Sequence, residues 1–366
     1  MTVGVRAQDA LDLLLQRVTE TLGQVGARFP LYADPADGRW TTTGRGSWTG
    51  GFWAGLLWLR ARHTGSDADR AEASAAIARL APWAEEDTAT RGLILWYGTA
   101  LATGDEAAGA LRERAARAVL AAWDPALGLV PWGAALGGER LRARADGVPG
   151  LVPLLAAAGP EGQAAATAHL HRHLDLCLLG ASRGEGAQRP CPAWRLDEAG
   201  GWVAERNPAP GWSRGEAWLL LAVADAVLHA DDPSADTHRL TRAAELLLDR
   251  CEFLTGPLVP QAEAGHPGGL LDTSAAAIAA VALLKLARVN EVAWTSACAV
   301  RAEAVLHRLV DVHLTRPGSA RPAGMLLDGC YDVRGGTAVR HELVWGDFFL
   351  ALGLSALLGR VDLRQV

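Results

Sequence analysis

Lysine is nearly missing from this chain: Lys285 is the one lysine among 35 basic residues, and the others are arginines. Those arginines are scattered along amphipathic segments under a formal net charge of −6. With no basic stripe to follow a phosphate backbone, no nucleic-acid partner is expected. Long apolar runs are missing too, which excludes a transmembrane helix and leaves a soluble protein as the expectation, with no membrane partner. The five cysteines (Cys177, Cys191, Cys251, Cys298, Cys330) are odd in number and widely spaced, without a C-x-x-C pair. They form neither a disulfide framework nor a zinc cage. A phosphate-cradling G-x-x-x-x-G-K-[ST] loop is absent. The opening MTVGVRAQDALDLLLQ is broken by Asp9 and Asp12, unlike the apolar core of a secretory signal. A reduced, cytoplasmic setting is the reading. No linker or low-complexity stretch divides the chain, so residues 1–366 read as one domain despite exceeding the usual reach of a single core.

What is present is helical periodicity. Apolar spacing and its breakers give roughly twelve helical segments, beginning near Ala7, Gly50, Asp67, Ala89, Asp105, Gly147, Glu161, Arg214, Ala235, Thr273, Ala293 and Leu343. No strand pattern competes with them. Segments such as RAEASAAIARL and DTHRLTRAAELLLDR carry charges beside an apolar stripe, as an outer layer requires. The segments between them, such as FWAGLLWL, AWLLLAVADAVL and TSAAAIAAVALLKLA, are apolar nearly all round and rich in small residues. Helices of that kind must be covered on every side. Six buried helices alternating with six amphipathic ones describe an all-α double ring, the (α/α)6 barrel.

In such a ring every second helix points the same way, so the residues preceding the inner helices converge on one mouth. Asp87 and Asp146 begin two neighbouring inner helices. They fit a pair handling proton transfer on a sugar, and they fit equally as helix N-caps. Asp272, followed by Thr273 and Ser274, reads as a cap. Fourteen tryptophans stand against three tyrosines and five phenylalanines. Trp48, Trp132, Trp194, Trp202, Trp212, Trp218 and Trp345 lie at or beside the expected mouth, where flat indoles suit the C–H faces of a pyranose. Arg214 is placed either to hold a ligand or to pair with a nearby acid. Ser213 and Glu216 have the spacing of a capping box. His169, His171 and His173 lack metal-ligand spacing and read as a solvated face. His341 is the histidine of the mouth segments, too few for the paired-histidine chemistry of a sugar epimerase or isomerase.

Several of these runs, in order, resemble the unsaturated glucuronyl hydrolases of glycoside hydrolase family 88 and their relatives acting on unsaturated rhamnogalacturonides. They are WTGGFWAGLLWL from Trp48, Asp87 ahead of a helix ending ATGDEAA, Trp132 after DPALGLVPW, and Asp146 before VPGLVPLLAAAG. GWSRGEAW from Gly211, LDTSAAAIAAVALLKLA from Leu271 and VWGDFFLALGLSALL from Val344 complete the set. The resemblance spans nearly the whole chain and implies the (α/α)6 barrel. It also implies a glycosidase that releases a sugar by hydrating the 4,5-double bond of an unsaturated uronyl residue. Asp146 would be the general acid and base, and Asp87 its helper. Trp48, Trp132 and Trp218 would form stacking walls, with Arg214 as anchor. The chemistry asks for no metal or organic cofactor, and the partner is a small carbohydrate or glycoside. Three departures stand out: Glu86 where the family often has histidine, the stretch CPAWRLDEAGGWVAERNPAPGW without the histidines that the family carries there, and Glu216 where it has glutamine. Added acid at the mouth would favour a neutral or amino-bearing sugar. A barrel that binds carbohydrate without chemistry is the remaining alternative.

Overall fold

Helices of two kinds alternate along the chain, and their contacts close a ring. The computed structural model describes residues 3–179, 189–229, 235–265, 269–290 and 292–366. Among them the helices are α1 (Val3–Val25), α2 (Gly50–Thr64), α3 (Asp67–Leu80), and α4, a π-wound Gly92–Trp96 running into Tyr97–Thr99. Next come α5 (Glu106–Ala121), α6 (Leu151–Ala156), α7 (Pro160–His173), α8 (Ser213–Leu228) and α9 (Ala235–Arg250). The last are α10 (Thr273–Leu286), α11 (Thr295–Arg308) and α12 (Val344–Leu357).

The even helices touch in sequence: α2 with α4, α4 with α6, α6 with α8, α8 with α10, α10 with α12, and α12 back to α2. Outside them lie α3 on α2, α5 and α7 on α6, α9 on α8, α11 on α10, and α1 across α12 and α2. The fold is therefore an (α/α)6 barrel. Composition explains the sorting, because α10 buries every residue except Leu284 and α8 every residue except Ala226. An amphipathic outer helix such as α3 buries only Ala73, Ala76, Ile77 and Leu80.

Two glycines show how tightly the inner ring closes. A Cβ on Gly51 would stand 2.3 Å from the Leu93 and Ile94 carbonyl oxygens, and one on Gly92 would stand 2.1 Å from the Leu151 backbone nitrogen. The backbones of α2, α4 and α6 are in direct contact there, and any side chain would push them apart. On the axis, Phe52, Tyr97, Trp218, Phe348 and Phe349 meet ring to ring. Phe52 and Trp218 are stacked at 6.1 Å, and Phe52 lies 5.5 Å from both Phe348 and Phe349. All five are fully buried.

Strands are the first correction to the sequence reading. The rim carries β1 (Phe29–Ala33), β2 (Trp40–Thr43), β3 (Arg142–Arg144), β4 (Ala193–Leu196), β5 (Trp202–Ala204), β6 (Gly329–Asp332) and β7 (Thr337–Leu343). They form two antiparallel sheets, in the orders β2-β1-β7-β6 and β3-β4-β5. Most are too short to display a two-residue period, and β1 finds β7 across almost the entire sequence. Their role is positional, since β7 runs directly into α12 and β3 into the turn Ala145–Gly147 ahead of α6.

The histidine run is the second correction. His169 and His173 are buried on the inward side of α7, not solvated. His169 Nδ1 accepts from the Val130 N–H at 3.1 Å while Nε2 meets the Gly147 carbonyl at 3.2 Å. Burial pushes both imidazoles down, His173 to about 4. His169 thereby buttresses the turn that carries Asp146, and His173 bonds the His169 carbonyl one turn back. His171 instead pairs with Asp236 at 2.6 Å. The five cysteines are free and buried. Among the described residues there is no cluster able to hold a metal ion, and no helix long and apolar enough to cross a membrane.

Candidate active site

The residues preceding the inner helices do gather at one rim, around a cavity of about 460 Å³. Ser47 and Trp48 come from the short turn before α2, and Trp132, Leu136 and Gly137 from the loop after α5. Arg142 and Arg144 come from β3, Asp146 from the turn behind it, and Asn207 and Pro208 from the segment after β5. Trp212 caps α8, which itself supplies Arg214 and Trp218, while Glu263 precedes α10 and Tyr331 and Asp332 end β6. Of the residues expected at the mouth, the structure brings Trp48, Trp132, Asp146, Trp212, Arg214 and Trp218 together on this cavity.

Asp146 is held from its own strand. The Arg144 guanidinium donates Nε to one carboxylate oxygen and Nη2 to the other, both at 2.9 Å, with the two side chains 19% and 18% exposed. Burial works against the Arg144 charge, but the Asp146 carboxylate outweighs it and keeps the guanidinium above its ordinary value. The same guanidinium lies 4.6 Å over the Trp132 ring. Arg142, two residues earlier on the same face of β3, is ion-paired with Glu205 at 2.9 Å.

Arg214 is committed to the scaffold. It donates to Asp272, to the Cys330 carbonyl and to the Tyr331 carbonyl, and it lies between the Trp212 and Trp345 rings at 5.1 and 5.6 Å. Asp272 is the expected cap of α10, accepting from the Ser274 N–H at 3.0 Å and the Ala275 N–H at 3.4 Å. Trp48 donates its indole N–H to the Tyr331 hydroxyl at 3.2 Å and rests on Trp345 at 4.8 Å. The aromatic wall is thus locked from behind.

Seven of the expected residues stand off the cavity, among them Trp202 at the start of β5. Asp87 turns its carboxylate to the Ala134 N–H at 3.1 Å and to Arg140 at 2.9 Å, while its carbonyl accepts from Ala135 at 3.0 Å. It clasps the loop that carries Trp132 and Leu136, so it reaches the cavity through that loop and not by its own oxygens. Asp87 and Asp146 do share one rim, because the Ala89 N–H bonds the Trp132 carbonyl and the Trp132 ring lies against Gly147. Glu86 is paired with Arg45. Trp194, in the middle of β4, donates to the Cys191 carbonyl. His341 sits on β7 with Nδ1 against the Val339 carbonyl and its ring edge-on to Tyr32. Trp345 is fully buried beneath Trp48 and Tyr331.

Glu216 lines a separate cavity of about 370 Å³ beyond the 261–264 segment. The expected capping box does not form: Ser213 Oγ donates to the Ala262 carbonyl, and Glu216 accepts from Arg189 at 3.0 Å. Burial pushes the Glu216 carboxyl up to about 7, opposed by the Arg189 charge.

Sequence reasoning missed Arg142, Arg144, Asn207, Glu263, Tyr331 and Asp332. The signal for the first two was present: R-A-R directly before Asp146 puts two arginines on one face of any short strand.

Among the described residues, twelve helices paired around an indole-walled cavity place the chain among the (α/α)6-barrel proteins. Within that class it is similar to unsaturated glucuronyl hydrolases. It is 27% identical over 385 residues to the unsaturated glucuronyl hydrolase of Bacillus sp. (strain GL1), a match covering 96% of each chain. A solved UGL structure with dGlcA-Glc-Rha-Glc superposes with a TM-score of 0.83 at 24% identity, covering 96% of each chain. The unsaturated glucuronyl hydrolase from Streptococcus agalactiae gives 0.83 at 17% identity, over 100% of this chain and 94% of that one. At those identities the two structural likenesses are likenesses of fold. No protein-family model matches the chain.

Proposed function

We propose that this protein is a glycosidase that hydrates the 4,5-double bond of an unsaturated uronyl residue, with Asp146 as the general acid and base. The observation that carries the reading is the setting of Asp146, an inward carboxylate beside Trp132 on a cavity also walled by Trp48, Trp212 and Trp218. Two further acids line the cavity, Glu263, which is paired with Arg334, and Asp332, whose Oδ1 accepts from the Arg334 and Gly335 backbone N–H groups; neither lies beside Trp132 at the head of an inner helix.

In the reaction, the carboxyl group delivers a proton to C4 of the enol ether while water adds at C5, and the carboxylate takes up the proton that water releases. The resulting hemiketal opens and expels the aglycone, so atoms and charge balance with no further reactant. The indoles supply faces for the sugar ring. Arg142, Arg144 and Arg214 make the surroundings tolerant of a sugar carboxylate.

The acids that pointed toward a neutral or amino sugar, Glu86 and Glu216, lie off this cavity. His341 is off it as well, and no histidine lines the cavity among the described residues. Those placements support uronide hydration over a neutral-sugar substrate or epimerisation. The test is incubation with unsaturated glucuronyl and rhamnogalacturonyl oligosaccharides, following loss of the enol-ether absorbance and confirming the released sugar by mass. Asp146→Asn is expected to lose roughly 100- to 10,000-fold in turnover with its melting transition intact. Full activity in that variant overturns the assignment.

A further inference from the structure

Asp146 is engaged at both oxygens by Arg144. A carboxylate whose two oxygens both accept from one guanidinium has its plane and one lone pair of each oxygen set by that arginine, leaving only the remaining lone pairs for a substrate. The partner is nevertheless a receptor for just the kind of group an anionic sugar carries, since the planar fork of arginine fits any carboxylate bidentately. We propose that Arg144 is an exchangeable clasp: the carboxylate of an incoming uronide takes over its fork, and Asp146 is thereby released toward the reacting carbon.

The surroundings favour Arg144 for this role over its neighbours. Arg214 already serves Asp272 and two backbone carbonyls at the α8–α10 junction, and 4% of its side chain is exposed. Arg142 is paired with Glu205, a carboxylate that is 12% exposed and belongs to the wall. From α7 and the segment following it, the groups facing Asp146 are His173 and Cys177, both buried, the imidazole pushed down to about 4 and the thiol pushed up. Neither brings a positive charge at neutral pH. Arg144 is therefore the cation bonded to Asp146, and its seat on the Trp132 ring lets it keep its place while partners change.

The inference rests on Asp146 as the reactive group, and it is tested with a sugar that cannot be turned over. Binding of D-glucuronate and of D-glucose to the native protein, Arg144→Gln and Arg144→Lys is measured by ligand-observed NMR, with circular dichroism confirming the fold. Arg144→Gln is expected to weaken glucuronate binding by roughly 10- to 100-fold and to leave glucose unchanged, with Arg144→Lys in between. On an unsaturated substrate, Arg144→Gln is expected to raise KM and lower kcat together, whereas a group that merely shaped the fold would depress both sugars' binding alike. Equal glucuronate binding by native protein and Arg144→Gln, or no glucuronate binding by the native protein, overturns the clasp while leaving hydration by Asp146 standing. Absence of turnover on every unsaturated substrate, with the glucuronate preference intact, overturns the reaction and not the clasp.

Discussion

Asp272 caps α10 with one carboxylate oxygen and neutralises the buried guanidinium of Arg214 with the other. One side chain therefore ties the start of α10 to the start of α8, and through the Arg214 bonds to Cys330 and Tyr331 it ties both to β6. The wall of the cavity and the closure of the barrel share this junction.

Replacing Asp272 by alanine removes the cap and leaves Arg214 charged and unpaired at a site where 4% of its side chain is exposed. A loss of about 3–5 kcal/mol is expected, read from denaturant unfolding. Asp272→Asn keeps an acceptor for the cap and should lose less. Equal losses in the two variants would remove the cap argument, and an unchanged Asp272→Asn would remove the charge argument.

The glycines of the inner ring should behave in opposite ways from those outside it. Gly92→Ala places a methyl group 2.1 Å from the Leu151 nitrogen and is expected to cost about 3 kcal/mol or more. Gly109→Ala, in the outer helix α5 with open space around it, is expected to stabilise by about 0.5–1 kcal/mol. Thermal melts of the two variants check the pair.

Glu216 gives a pH dependence of definite sign. Burial raises its folded value from 4.5 to about 7, so between those limits the unfolded chain has released a proton that the folded chain retains. Stability contributed by this group therefore falls as pH rises through that window, by up to about 3 kcal/mol. Glu216→Gln should remove this slope, and unfolding measured from pH 4.5 to 7 should show the variant gaining on the native protein. Parallel curves would mean the carboxyl is ionised throughout.

Asp87 acts on the cavity through the 133–140 loop, holding Ala134 and Arg140. Asp87→Ala is expected to lower kcat/KM on an unsaturated substrate by roughly tenfold or more as the Trp132 wall loosens. Increased proteolytic nicking within 133–140 should accompany it. A kinetic loss without any change in that loop would point instead to direct contact between Asp87 and the ligand.

Helix positions were legible because burial is written into composition. A segment apolar on every face, such as α10, has no place in a protein of this size except a covered inner layer. The rim sheets were not legible, since three residues such as Arg142–Arg144 carry no period and their partner β4 lies some fifty residues away. Asp146 stands on the cavity where a turn ahead of an apolar helix advertises it, whereas Asp87 has the expected place on the rim but turns its oxygens to a loop, a tertiary bond that local spacing does not show. His169 and His173 were misread because spacing in threes and fours was not weighed for them, and the two stand one turn apart on the face that carries Ala165, Ala166 and Leu170. Ser213 and Glu216 had the right separation for a reciprocal cap, but Ala262 and Arg189 outcompeted the local bonds. Tertiary partners of that kind leave no trace in local spacing.

The five aromatic rings across the barrel axis make the cavity a cul-de-sac. Under the proposed reaction, a saccharide could not be threaded through such a vessel and would present an end to Asp146. Arrival and departure would then use the same doorway, so a released sugar would have to vacate before its successor docks.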